Sequence, residues 1–140
     1  MKKVYIDATG WFAIVHSGHP QHEHAREYLQ QLLDTRVRLY SNVLEINQVI
    51  SEIKKKCSLN LAVEFFKLID EAVLSGNLHV SWLTRRLRRN GLRHFFTFKD
   101  SEINIGHCII FEEVKKKRIS FIFSFDDVLK KFGIPLMPQA

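Results

Sequence analysis

The spacing of hydrophobic positions changes several times along the chain, and each change marks an element. Val4-Tyr5-Ile6 is a short β-branched and aromatic run ending at Asp7, after which Thr9-Gly10 turns the chain into a short helix carrying Trp11, Phe12 and Ile14. From Gln21 to Asp34, behind Pro20, Ala25, Tyr28, Leu29, Leu32 and Leu33 recur at helical spacing. Val37 to Tyr40 reads as a second strand. Ser41 or Asn42 caps the next helix, in which Leu44, Val49, Ile50 and Ile53 supply apolar spacing up to Lys54-Lys55-Lys56. After a break near Cys57-Ser58, a long amphipathic helix bearing Leu61, Phe65, Leu68, Ile69, Ala72 and Val73 runs to Gly76-Asn77, a left-handed cap. Leu78 to Ser81 is a brief third strand.

The second half continues the alternation. A basic helix begins near Trp82 and breaks at Asn90-Gly91, and Phe95 to Phe98 leads into a helix opened by Asp100. Ile103, Ile110 and Val114 form the apolar stripe of that helix, and Lys115 to Arg118 suit its negative end. Ser120 to Phe123 is an apolar strand and Phe125 to Phe132 a short helix. Gly133 to Leu136 makes a last strand, which Pro135 confines to an edge. Strands alternating with helices predict a three-layer α/β fold with a mostly parallel sheet, residues 1–140 forming one domain.

Composition narrows the partners. Twenty-one Lys and Arg against fifteen Asp and Glu give a net charge of +6, which favours a polyanionic partner, nucleic acid ahead of an anionic membrane. Arg85, Arg86, Arg88, Arg89 and Arg93, with His94, form the densest positive stretch and are candidates for binding RNA phosphates. His16, His19, His22 and His24 crowd one segment, but their spacing matches no metal site. Cys57 and Cys108 make no ligand motif and read as reduced thiols of a cytoplasmic protein. Met1-Lys2-Lys3 before an apolar run looks superficially like a leader, but Asp7 interrupts the run and no small-residue cleavage site follows. No stretch approaches the roughly 18 apolar residues of a membrane span, so no membrane partner is expected.

Four acids have addresses at one mouth of such a sheet. Asp7 ends the first strand, Glu45 lies early in the helix after the second, Asp100 opens a helix, and Asp126 follows the fourth strand. In an open parallel sheet the ligand crevice lies beyond the carboxyl ends of the strands. Carboxylates sharing a crevice repel one another unless protons or a cation neutralise them, and oxygen ligands suit Mg²⁺ or Mn²⁺. Phosphodiester hydrolysis is the chemistry that follows. Singly, three of them also fit a structural role, Asp100 and Asp126 as helix caps and Glu45 as a helix-surface charge, whereas Asp7, at the end of an apolar strand, is the hardest to assign one.

These residues resemble the PIN-domain ribonucleases, and especially their short, VapC-like toxin members. The likeness spans nearly the whole chain and rests on Asp7-Ala8-Thr9, Ser41-Asn42-Val43-Leu44-Glu45, Thr97-Phe98-Lys99-Asp100-Ser101, and Ser124-Phe125-Asp126 followed by Phe132-Gly133-Ile134. The resemblance implies a five-stranded sheet ordered 3-2-1-4-5, an Mg²⁺ or Mn²⁺ site and endonucleolytic cleavage of RNA. By position, Asp7, Glu45 and Asp100 match the acids that hold the metal, and Asp126 matches the fourth. Thr9 and Ser124 match hydroxyls that orient carboxylates or water, and Asn104, four residues past Asp100 on the same helix face, is a further candidate. The pattern departs at Val128, where many relatives carry an acidic or polar residue, and at Leu129 in place of Phe. The resemblance further implies a toxin held by a small antitoxin protein, and exposed apolar residues on the early helices would serve that partner or a homodimer. The alternatives are a non-catalytic PIN-like module binding RNA or protein, and a structure-specific DNA nuclease.

Overall fold

A computed structural model of the chain describes residues 2–139. Five strands, β1 (Lys3–Ile6), β2 (Arg38–Asn42), β3 (Leu78–Ser81), β4 (Phe121–Phe123) and β5 (Leu136–Met137), form one sheet ordered β3-β2-β1-β4-β5. Every pairing is parallel. The order is the one the resemblance implies, and the sheet expected to be mostly parallel is wholly so.

The period of two along β1 sorts its side chains between two cores. Val4 and Ile6 enter a cluster with Trp11, Ile46, Val49 and Phe65, built by α1 (Ala8–Val15), α2 (His22–Asp34), α3 (Val43–Lys56) and α4 (Leu59–Leu74). Tyr5, between them, packs on the opposite face with Ile110, Val114, Ile122 and Leu129. That face is covered by α6 (Ile105–Lys117), with α5 (Arg85–Thr97) packed on it. Both faces of the parallel sheet are thereby shielded from water, as such sheets require. Among the described residues, no helix is long and apolar enough to cross a membrane.

Four expectations need correction. The basic helix does not break at Asn90-Gly91: α5 is continuous, begins at Arg85 behind a Thr84 cap, and buries Gly91 against α6. A Cβ at position 91 would lie 2.8 Å from Ile109 Cγ1, so glycine there permits close helix contact. Asp100 does not open a helix, and it shares no helix face with Asn104. It precedes a turn at Ser101-Glu102, and α6 starts only at Ile105 with Asn104 as its cap. The reason is reciprocal bonding: Asn104 Oδ1 accepts the His107 N–H, while His107 Nδ1 accepts the Asn104 N–H. The segment after β4 is a 3-10 helix over Asp127–Phe132 rather than one beginning at Phe125. The last strand is β5 at Leu136–Met137, just past Pro135, and it does lie at an edge.

Candidate active site

Strand order reverses between β1 and β4, so chain leaving their carboxyl ends diverges and opens a crevice. A pocket of about 150 Å³ lies there, its wall including Tyr5, Asp7, Glu45, Asn104, His107 and Asp126. Asp7 is held most firmly. As the cap of α1 it accepts the Gly10 N–H at 2.8 Å and the Thr9 hydroxyl at 2.7 Å on Oδ1. Its Oδ2 accepts the Ser124 hydroxyl at 2.6 Å from across the β1–β4 seam. Ser124 and Thr9 in turn accept the N–H groups of Asp126 and Phe125, so both hydroxyls are fixed by backbone.

Glu45 stands in the first turn of α3, behind the Asn42 cap, and its Oε2 accepts the Ala8 N–H at 3.3 Å. Backbone thus brings it beside Asp7. Burial pushes the Asp7 carboxyl up to about 6, against the opposing pull of its hydrogen bonds to Ser124, Gly10 and Thr9. Burial raises Glu45 to about 8, with the negative charge of Asp7 as the next cause and that of Asp126 a smaller one. Asp7, buried, and Glu45, half-buried, both resist ionisation, Glu45 being further opposed by the charge of Asp7, and a positive charge placed beside them would favour their ionised forms.

Asp126 caps the 3-10 helix through Oδ1, which accepts the Val128 N–H at 3.1 Å. Its Oδ2 lies 2.7 Å from His107 Nε2. Asn104 lines the pocket as the cap of α6. Asp100 does not line it. It is exposed, its Oδ1 accepts the Glu102 N–H at 2.9 Å, and its Oδ2 is paired with Lys131 Nζ at 2.5 Å. The Lys131 hydrogen bond holds the Asp100 carboxyl below its usual range. Of the four acids the structure gathers three, Asp7, Glu45 and Asp126, and leaves Asp100 outside. Arg85, Arg86, Arg88, Arg89 and Arg93 are all exposed on α5 and line no part of the pocket.

Three further residues were not singled out by the sequence. His107 is buried in the pocket wall, three positions past Asn104, where the spacing of a capping pair was the available signal. Glu113 is buried on α6, where it accepts hydrogen bonds from Asn42 Nδ2, from Ser81 Oγ at 2.7 Å and from Lys117 Nζ at 3.0 Å. It thus ties α6 to the carboxyl ends of β2 and β3. Nothing in the charged run around it marks it as interior. Tyr5 Oη lies in the pocket wall and, among the described residues, is the one buried side-chain polar atom without a hydrogen-bond partner. An orphaned buried hydroxyl of this kind calls for a water or ion-bound ligand.

These features fit a hard divalent cation. Among the described residues no three His, Cys, Asp or Glu side chains are grouped so that they could hold a metal ion between them. Mg²⁺ is ordinarily held by one or two carboxylates, the rest of its shell being water and substrate phosphate. Asp7 and Glu45 are a pair of that kind, and Tyr5, whose hydroxyl has no hydrogen-bond partner, lines the same pocket.

The fold is that of a PIN-like α/β domain. In structure the chain is similar to VapC20 of Mycobacterium tuberculosis, a toxin that cleaves the sarcin-ricin loop. The two share 17% sequence identity over 94% of this chain and 96% of that one, with a TM-score of 0.78. At that identity the likeness is one of fold. The sequence matches no protein-family model, and no curated protein matches it significantly.

Proposed function

We propose that this chain is a metal-dependent endoribonuclease of the PIN type that hydrolyses RNA phosphodiesters with Mg²⁺ or Mn²⁺. The observation that carries the reading is the pairing of buried Asp7 with half-buried Glu45 at the β1–β4 seam, joined through the Ala8 N–H and each raised in pKa by desolvation and by neighbouring negative charge. The fold shared with a sarcin-ricin loop cleaving toxin supports it.

In this reading Asp7 and Glu45 hold the cation, which when bound supplies Lewis acidity and an activated water for attack on phosphorus. Thr9 and Ser124 keep both Asp7 oxygens aimed, and Glu113 fixes α6 against the strand ends so the pocket keeps its width. Asp126 adds negative charge at the rim. The exposed arginines of α5, none of them in an ion pair among the described residues, bind backbone phosphates of the RNA strand.

The reading includes a toxin's partners. An apolar groove between α1, α2 and α4, lined by Trp11, Ile14, Leu29, Leu33, Phe65 and Leu68, supports a protein partner such as a small antitoxin or a second copy of the chain. A cytoplasmic site of action accords with an RNA substrate.

Purified chain incubated with RNA and Mg²⁺ or Mn²⁺ tests the reading. Cleavage is expected, is lost on chelation, and is abolished by Asp7→Asn and by Glu45→Gln. Asp100→Asn, at a residue outside the pocket, is expected to retain cleavage within a few-fold. Cleavage that persists undiminished in Asp7→Asn would sink the proposed site.

A further inference from the structure

Phe96 stands 78% exposed on α5 and belongs to neither core cluster. Its ring meets Phe95 edge-on, the centroids 5.6 Å apart, which supports the ring without covering it. Phenylalanine is a poorer helix former than leucine or arginine, so neither packing nor helix formation accounts for it. Its neighbours on the helix surface do. At about 100° per residue, Arg85, Arg89 and Arg93 advance by about 40° at each step, and Phe96 falls back between the first two, about one turn further along. Arg86 and Arg88 project on either side of that line. The ring therefore lies in the middle of a fan of five exposed arginines, none of them in an ion pair among the described residues. α5 contains no Asp or Glu. Gly91 and His94 occupy the opposite side of the helix, against Ile109 and Phe111 of α6.

We propose that Phe96 is a base-stacking subsite set in an arginine track, and that α5 takes an unpaired stretch of RNA. The inference deepens the reading of the chain as a ribonuclease and rests on it. Arginines neutralise phosphates whatever the fold of the RNA, whereas an aromatic ring in the same strip adds affinity only where a base offers its face. In a duplex those faces are covered by neighbouring bases, and in a loop or single strand they are free. The pairing of ring and arginines thus favours single strands, with little preference among bases, since every base has a π-face. Charge argues for RNA over protein as the occupant. A strip with five positive groups and no negative one complements a phosphate chain, while an apolar protein surface seated on Phe96 would strip water from the arginines without pairing them.

Fluorescence anisotropy of labelled RNA tests the subsite, with the full chain carrying Asp7→Asn so that the RNA is not cut. The probes are a short oligouridylate and a blunt RNA duplex of equal length. Phe96→Leu keeps an apolar side chain and a good helix former, and should weaken oligouridylate binding by about tenfold, the loss of one stacked base. The slope of log affinity against log salt should not change, because a stack releases no counterions. Duplex binding should change by less than about twofold. Phe96→Trp should restore the single-strand affinity.

A Phe96→Leu variant that binds oligouridylate as tightly as its parent overturns the proposal and leaves the ring to a protein partner. Equal losses on the two RNAs, a reduced salt slope, or a Phe96→Trp variant as weak as Phe96→Leu also overturn it, since loss of a stacked base produces none of these. A parent that binds neither RNA at low salt overturns the RNA reading of the whole chain. Cleavage by wild type together with unchanged binding in Phe96→Leu overturns the subsite alone.

Discussion

Ser124 Oγ donates to Asp7 Oδ2 across 2.6 Å, joining the residue after β4 to the residue after β1. This bond acts on the ionised form of a buried acid, because a carboxylate is the better acceptor and gains most from a donor where water is excluded. Ser124→Ala should destabilise the fold by about 1–3 kcal/mol at neutral pH and above, where Asp7 is largely ionised. The loss should shrink near pH 5, where the folded-state proton on Asp7 removes the charge that the hydroxyl serves. Urea unfolding at the two pH values measures the difference. A variant equally destabilised at both would assign the bond to packing alone.

The raised acids give the metal-free protein a pH dependence of definite sign. Asp7 lifted from 3.8 to about 6 and Glu45 from 4.5 to about 8 each hold a proton in the folded state after the unfolded chain has released it. Between those values the native state binds more protons, so stability falls as pH rises. Thermal unfolding in chelator should therefore show a midpoint that declines from pH 5 to pH 8, and Asp7→Asn with Glu45→Gln should flatten the decline. Saturating Mn²⁺ replaces the protons and should raise the midpoint most at the alkaline end. A midpoint that climbs with pH across this range in the metal-free wild type would contradict the assignment.

Gly91 packs so closely on Ile109 that an added Cβ meets the side chain at 2.8 Å and the Ile109 backbone at 3.4 Å. An exposed helical glycine gains stability on replacement by alanine, whereas an overpacked contact loses it. Here the second effect wins, because the atom met at 2.8 Å is the Cγ1 of a buried β-branched side chain, stiff at its first torsion, and not the far end of a flexible one. Gly91→Ala should cost about 1–3 kcal/mol in denaturant unfolding, and a stabilised variant would show that α5 and α6 separate readily.

That glycine also shows where sequence reasoning stops. Val4-Tyr5-Ile6 announces a strand buried on both faces, and Asp7 at its end is conspicuous because an acid seldom follows such a run. Glu45 is legible from its place after a capped helix start. Gly91 reads as a breaker because the contact that makes it necessary belongs to another helix, so its meaning is tertiary. Asp100 and Asn104 are both plausible caps, and the choice between them is made by the return bond from His107, a pairing between residues too ordinary to stand out. The same small shift in helix start leaves Asp100 on a turn with Lys131 and puts His107 in the pocket. The strand order followed from a family likeness, since local pattern is silent on which strands are neighbours.

The five arginines of α5 are exposed, and the helix turns its Leu87, Asn90, Gly91 and His94 side toward the rest of the molecule. Arg85, Arg89 and Arg93 recur every four residues and so share one strip of helix surface. Such a strip binds a polyanion by displacing its counterions, an effect independent of sequence and strongly dependent on salt. Replacing Arg85 and Arg89 by Gln should weaken binding to single-stranded RNA at low salt. It should also reduce the slope of log affinity against log salt by about 1 for each phosphate that is no longer neutralised. The measurement is a fluorescence anisotropy titration at several salt concentrations, with Asp7→Asn as background so that the RNA is not cut. Weaker binding with an unchanged slope would mean that the arginines support the fold of α5, and the phosphate track would then have to lie elsewhere.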